Sequence, residues 1–105
     1  MKFQDDGITI LAPLYGCSFS AKNIRDIQLS DKLPQAFKMN GAATERYLLG
    51  NFNVTGYGNS KMYVYKEKAP FIIIKLSNGY VFFSSISPEK TMEYYEHLCE
   101  ISLKK

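Results

Sequence analysis

The sequence predicts a mainly β domain: a partly open barrel of about seven antiparallel strands capped by one C-terminal α-helix. Three observations predict it. Short apolar–polar alternations recur between residues 7 and 85, the period-two signature of strands with one buried face. Eight Tyr and seven Phe, with no Trp, accompany many Ile and Val, side chains that suit a pleated, half-buried surface. After residue 86 the apolar spacing changes to that of a helix, behind a marked helix start. At 105 residues the chain fits one domain spanning 1–105, with strands over about 7–85 and the helix over about 88–103.

Residues 7–11 read as a first strand, closed by Pro13-Leu14-Tyr15-Gly16, whose Pro and Gly are turn formers. Residues 17–21 form a short second strand with Phe19 as its anchor. Ile24, Ile27 and Leu29 mark a third, the last two alternating with Asp26, Gln28 and Ser30. Residues 31–49 break the rhythm with Pro34, Gly41, Ala42 and Ala43. They read as an ordered loop that carries Leu33, Phe37 and Met39 back against the barrel, and loops of such length are usually functional.

From residue 50 to residue 85 the pattern is a four-stranded meander. Phe52 and Val54 alternate with Asn51, Asn53 and Thr55, and Gly56-Tyr57-Gly58-Asn59 reverses the chain. Residues 61–66 alternate again, and 71–76 is nearly all apolar, as a central strand is. Ser77-Asn78-Gly79 reads as a hairpin connection, since Asn-Gly readily adopts the positive φ angles such turns need, and residues 80–85 are expected to return antiparallel. For the helix, Ser87 is the N-cap and Pro88 the first helical residue. Glu89 complements the positive end of the dipole, and Lys104 and Lys105 the negative end. Thr91, Tyr94, Tyr95, Leu98, Ile101 and Ser102 share one face, flanked by Met92 and Cys99; Glu93, Glu96, His97 and Glu100 lie mainly opposite.

Composition excludes several classes. The net charge of +3 is thinly spread: residues 87–105 carry −1 and the remainder +4, so nucleic acid is not an expected partner. Cys17 and Cys99 stand in no metal-like spacing and are expected as reduced, partly buried thiols. The N-terminal residues lack the apolar core of a signal peptide, and the longest apolar run, 71–74, is far short of a membrane span. A cytoplasmic protein is the expectation. Asn53-Val54-Thr55 matches a glycosylation sequon but reads as ordinary strand sequence.

Particular segments, in this order, resemble the bacterial pleckstrin-homology-like (PH-like) domain family: Asp31-Lys32-Leu33-Pro34, Asn40-Gly41, Gly50-Asn51-Phe52, Gly56-Tyr57-Gly58, Tyr63-Val64, then Ser87-Pro88-Glu89 leading to Leu98. The likeness is best over residues 31–98 and weaker over 7–30. It implies a PH-like barrel acting as a binding or scaffolding module, with no catalytic residues and no cofactor. Family members often follow membrane helices in one chain, which keeps a membrane-bound partner among those expected, although this sequence has no such helix. Eukaryotic relatives hold inositol phosphates with basic residues around the first hairpin. Here residues 10–17 contain none, so phosphoinositide binding is not expected.

Chemistry-bearing constellations are sparse. His97 has only glutamates at helical spacing and lacks the convergent ligands of a metal site. Asp5-Asp6 lies near the N-terminus, Gly56-Tyr57-Gly58 lacks the third glycine of a dinucleotide loop, and neither cysteine has an activating neighbour in sequence. Two candidate surfaces remain. With Met62, Val64, Ile72, Ile74 and Leu76 facing the core, alternation puts Tyr63, Tyr65, Phe71, Ile73, Tyr80 and Phe82 on an outer face, which is either partly covered by the helix or the long loop or an apolar patch fit for a protein partner or a homo-oligomer. The long loop offers Lys38, Asn40, Gly41 and Arg46 to an anion or a peptide. The leading expectation is a non-catalytic module for protein–protein interaction or self-association. The rival is a barrel that binds a small apolar molecule or single-stranded nucleic acid, with aromatics stacking between Lys61, Lys66 and Lys75.

Overall fold

The computed structural model describes residues 1–4, 7–12 and 14–103. Nine strands and one α-helix occur among them, with a single 3-10 turn at Ala21–Asn23: β1 (Lys2–Gln4), β2 (Gly7–Ile10), β3 (Cys17–Ser20), β4 (Ile24–Ser30), β5 (Ala36–Ala43), β6 (Tyr47–Val54), β7 (Gly58–Tyr65), β8 (Phe71–Leu76), β9 (Gly79–Phe83) and α1 (Pro88–Leu103). The expected mainly β domain with a C-terminal helix is therefore present. Strands β1, β2 and β3 form a small antiparallel sheet, and the other six a second sheet in the order β4-β8-β9-β7-β6-β5.

Two expectations are corrected here. Residues 31–49 are not a long loop but enter the β5–β6 hairpin, and of the three side chains expected to pack inward only Leu33 does; Phe37 and Met39 are exposed. Residues 50–85 are not a simple meander either. Strand β9 lies between β7 and β8, antiparallel to β8 but parallel to β7. The Asp5-Asp6 pair and the Lys104/Lys105 dipole contact lie outside the described residues.

Connection lengths force the large sheet to curl. Its edge strands are β4 and β5, and a flat six-stranded sheet would hold them about 24 Å apart at the usual strand spacing. Only residues 31–35 join them, and six Cα steps reach no more than about 21 Å even when fully extended. No ladder joins β4 to β5 among the described residues, so the barrel stays partly open at that seam.

Strand β8 is buried on both faces, and its register sorts the core into two clusters. Ile72 pairs with Phe83, which pairs with Tyr63; with Ile74 and Val81 they meet Ile8, Ile10, Phe19 and Leu98 from the small sheet and α1. Ile73 pairs with Phe82, which pairs with Met62; they pack with Phe52, Val54, Val64 and Phe71 inside the curl. Each large side chain so buried contributes about 1.5–3 kcal/mol.

Strands β5 and β6 approach closely at one cross-strand pair, Gly41 opposite Gly50. Both have positive φ (140° and 122°), and a Cβ added to Gly50 would sit 2.8 Å from the Gly41 Cα, with the Asn40 carbonyl oxygen closer still. Only glycine fits both conditions. This gives a physical reason for the glycines of Asn40-Gly41 and Gly50-Asn51-Phe52.

The helix start is as expected. Ser87 Oγ accepts from the Lys90 N–H at 3.3 Å, and the Ser87 carbonyl accepts from the Thr91 N–H at 3.1 Å. Thr91 and Leu98 are buried on the inward face, with Tyr94, Tyr95 and Ile101 half-buried beside them, while Glu93, Glu96, His97 and Glu100 are exposed.

Candidate functional site

The expected outer aromatic face does not exist as an open surface. Phe82 is 0%, Phe71 2%, Ile73 5% and Tyr63 7% exposed, while Tyr65 and Tyr80 are half-buried. The error is one of register: Phe71, Ile73 and Phe82 share the inner face of the curl with Met62 and Val64, whereas Tyr63 lies on the opposite face with Ile72 and Ile74. Tyr80 meets Tyr57 edge-on at 4.8 Å. Of the proposed loop residues, Lys38 is exposed on edge strand β5, Gly41 is consumed by the glycine pair, and Arg46 lies in the β5–β6 turn, its carbonyl accepting from the Lys66 N–H at 2.8 Å. Asn40 is bound by the Tyr15 hydroxyl, which donates to its Oδ1 at 3.2 Å.

Apolar surface instead collects elsewhere. Leu11 (64% exposed), Ile86 (55%) and Tyr47 (37%) are three of the six large apolar side chains exposed among the described residues, and all three line one cleft of about 530 Å³ with Tyr63, Tyr65 and Tyr94. They come from the end of β2, the start of β6, the end of β7, the β9–α1 junction and the middle of α1. Among the described residues no Lys, Arg, His, Asp or Glu side chain lines the cleft.

Each wall is held by identifiable bonds. Ser84 is buried; its N–H donates to the Tyr63 carbonyl at 2.9 Å, and its Oγ accepts from the Tyr65 N–H at 2.9 Å. On the far side, the Ser85 N–H donates to Thr91 Oγ1 at 2.8 Å and the Ser87 N–H to Ser85 Oγ at 3.2 Å. Residues on both sides of Ile86 are thereby pinned while its side chain stays exposed. Tyr47 is set by Thr44, whose Oγ1 accepts the Tyr47 N–H at 3.0 Å, and its ring meets Tyr65 edge-on at 6.3 Å. Tyr63 donates its hydroxyl proton to the Tyr15 carbonyl, tying the β2–β3 turn to the large sheet. Burial, and then the adjacent Cys17 thiol, raise the pKa of Tyr63 well above the usual phenol range. The Tyr95 pKa is raised as well, chiefly through its hydrogen bond with Cys99.

A second cleft, of about 470 Å³, lies where β5, β6, β7 and β9 meet the β8–β9 turn, and holds Asn40, Asn51, Asn59, Asn78, Lys61 and Tyr80. Sequence reasoning named Asn40 and Tyr80 there, and Tyr63 and Tyr65 in the apolar cleft, but missed Leu11, Tyr47, Ile86 and Tyr94. A lone apolar residue at a strand end or before a helix is ordinary, so only long-range pairing reveals their convergence.

Among the described residues no three His, Cys, Asp or Glu side chains are grouped to hold a metal ion. Both cysteines are free and half-buried, and His97 stacks on Phe3 with ring centroids 3.9 Å apart. No described helix is long and apolar enough to cross a membrane.

A curled, incompletely closed and mostly antiparallel sheet, capped by a C-terminal helix, defines a domain of the pleckstrin-homology type. The chain matches the family model described as a bacterial PH domain over residues 1–100 and belongs to that family. No curated protein and no solved structure matches it significantly. PH-like domains are generally non-catalytic.

Proposed function

We propose that this domain is a non-catalytic binding module that takes an apolar segment of a protein partner in the cleft between Leu11, Tyr47, Tyr65 and Ile86. The observation that carries the reading is the convergence of three exposed apolar side chains, from separate parts of the chain, on one cleft lined by no charged side chain among the described residues. Monomer surfaces scatter such residues, and a contiguous patch marks an interaction site. Tyrosine suits that role because it offers a large contact area with few rotamers to freeze. The rigid Ser84–Ser87 junction reduces the ordering cost of binding further. The interior offers less to a small apolar ligand, since Phe52, Met62 and Phe82 fill the curl.

Selection of displayed random peptides on the domain tests the reading. Enriched sequences are expected to share large apolar residues and to lose at least about tenfold in affinity on Leu11→Glu and on Ile86→Glu, each of which forces an unpaired charge against the ligand. Phe37→Glu, on the edge strand outside the cleft, should leave binding unchanged. Equal binding to all three variants would exclude the cleft. A concentration-dependent dimer broken by the same two substitutions would instead put a second copy of the chain there.

A further inference from the structure

The second cleft is built differently from the first, and the two readings stand independently. Four of the chain's six asparagines line it. Among the described residues Lys61 is its one charged side chain, and no carboxylate lines it. Asn40, Asn51 and Lys61 form a row across β5, β6 and β7, each paired in register with the next. Bonds within the row and to its neighbour use the acceptor ends: Lys61 Nζ donates to Asn51 Oδ1 at 3.4 Å, and the Tyr15 hydroxyl donates to Asn40 Oδ1 at 3.2 Å. Among the described residues both Nδ2 amides and the remaining ammonium protons are left as donors. Tyr80, Leu76 and Met39 add apolar surface beside them.

We infer that this cleft binds a carboxylate attached to a short apolar body, its oxygens received by Lys61 Nζ and the Nδ2 amides of Asn40 and Asn51. Donor excess and a single positive charge match a singly charged anion. A phosphate monoester carries nearly two charges at neutral pH, and the cleft offers one. The carboxylate can come from a free aliphatic acid or from an acidic side chain of a peptide, and both present the same group.

The test is titration of the ¹⁵N-labelled domain with hexanoate, hexanol and hexyl phosphate, and with a capped Ala-Glu-Leu peptide against its Ala-Gln-Leu counterpart. The readout is the set of side-chain NH₂ resonances of Asn40, Asn51, Asn59 and Asn78. Saturable shifts of the Asn40 and Asn51 amides with hexanoate, with the Glu peptide or with both support the inference and tell which source fits. Lys61→Met keeps the length of the side chain and should weaken that binding about tenfold, the loss of one charge-assisted hydrogen bond. Asn51→Asp sets a carboxylate beside Lys61 and should abolish it. Backbone spectra unchanged away from the cleft certify that both variants fold. The inference is overturned by hexanol or the Gln peptide shifting the same amides equally, by tighter binding of hexyl phosphate, by undiminished binding to Lys61→Met, or by no saturable shift with either carboxylate.

Discussion

Replacing Gly50 with Ala tests the close packing of β5 against β6. Gly50 has a φ of 122°, and its new Cβ would lie 2.8 Å from the Gly41 Cα. Two costs follow. Holding a non-glycine residue in that region costs about 1–3 kcal/mol, and forcing a methyl against packed backbone adds about 1–3 kcal/mol. Gly56 separates the two: its φ is 87°, but an added Cβ meets nothing within 4 Å, so Gly56→Ala carries the first cost alone. The destabilisation expected for Gly50→Ala is therefore about 4 kcal/mol, roughly 2 kcal/mol beyond that of Gly56→Ala. At about 4–8 °C per kcal/mol for a domain of this size, Gly50→Ala should lower Tm by at least about 15 °C. Urea unfolding followed by near-ultraviolet circular dichroism measures both variants. A Gly50→Ala protein no less stable than Gly56→Ala would refute the role given to the glycine pair.

Three further outcomes are expected. Phe82→Ala, at a fully buried centre of the inner cluster, should cost about 3–5 kcal/mol in urea unfolding; a loss below about 1 kcal/mol would restore Phe82 to an outer surface. Thr91→Val keeps the shape of a buried side chain but strands the Ser85 N–H that Thr91 Oγ1 accepts, costing about 1–3 kcal/mol, whereas no change in thermal midpoint would show that bond to be idle. For Tyr63 the raised pKa means that the unfolded chain releases its phenol proton first. The stability it adds is fully present below about pH 10, the unfolded value, and falls as pH rises towards the higher folded one. Tyr63→Phe should flatten the alkaline decline in stability by at most about 1.4 kcal/mol per pH unit; parallel declines would contradict that environment.

Sequence and structure agree where the determinants are local. The N-cap at Ser87, the inward face from Thr91 to Ile101 and the strands anchored by Phe19, Ile27 and Phe52 each follow from neighbouring residues. Strand β5 was illegible for a physical reason. It is an edge strand, largely exposed, and a register shift between Lys38 and Asn40 interrupts its pairing, so no alternation of apolar and polar residues is imposed on it. Strand order was hidden as well. Which of Phe71 or Ile72 shares a face with Met62 depends on β9 lying between β7 and β8, and both alternations are apolar. The apolar cleft inherits that difficulty, because Leu11, Tyr47 and Ile86 meet only through pairings between distant parts of the chain. The glycines of the family motif were visible, but their cross-strand contact was not.

The central claim, that the tyrosine-lined cleft is the binding surface, is tested most directly by mapping a selected apolar peptide onto the ¹⁵N-labelled domain. The account predicts that the largest backbone shifts cluster at Leu11, Tyr47, Tyr65 and Ile86. It also predicts that these shifts vanish in Ile86→Glu while the rest of the spectrum stays in place. Shifts centred on the outer edge of β5 or on the asparagine cleft, with Leu11 and Ile86 undisturbed, would contradict it.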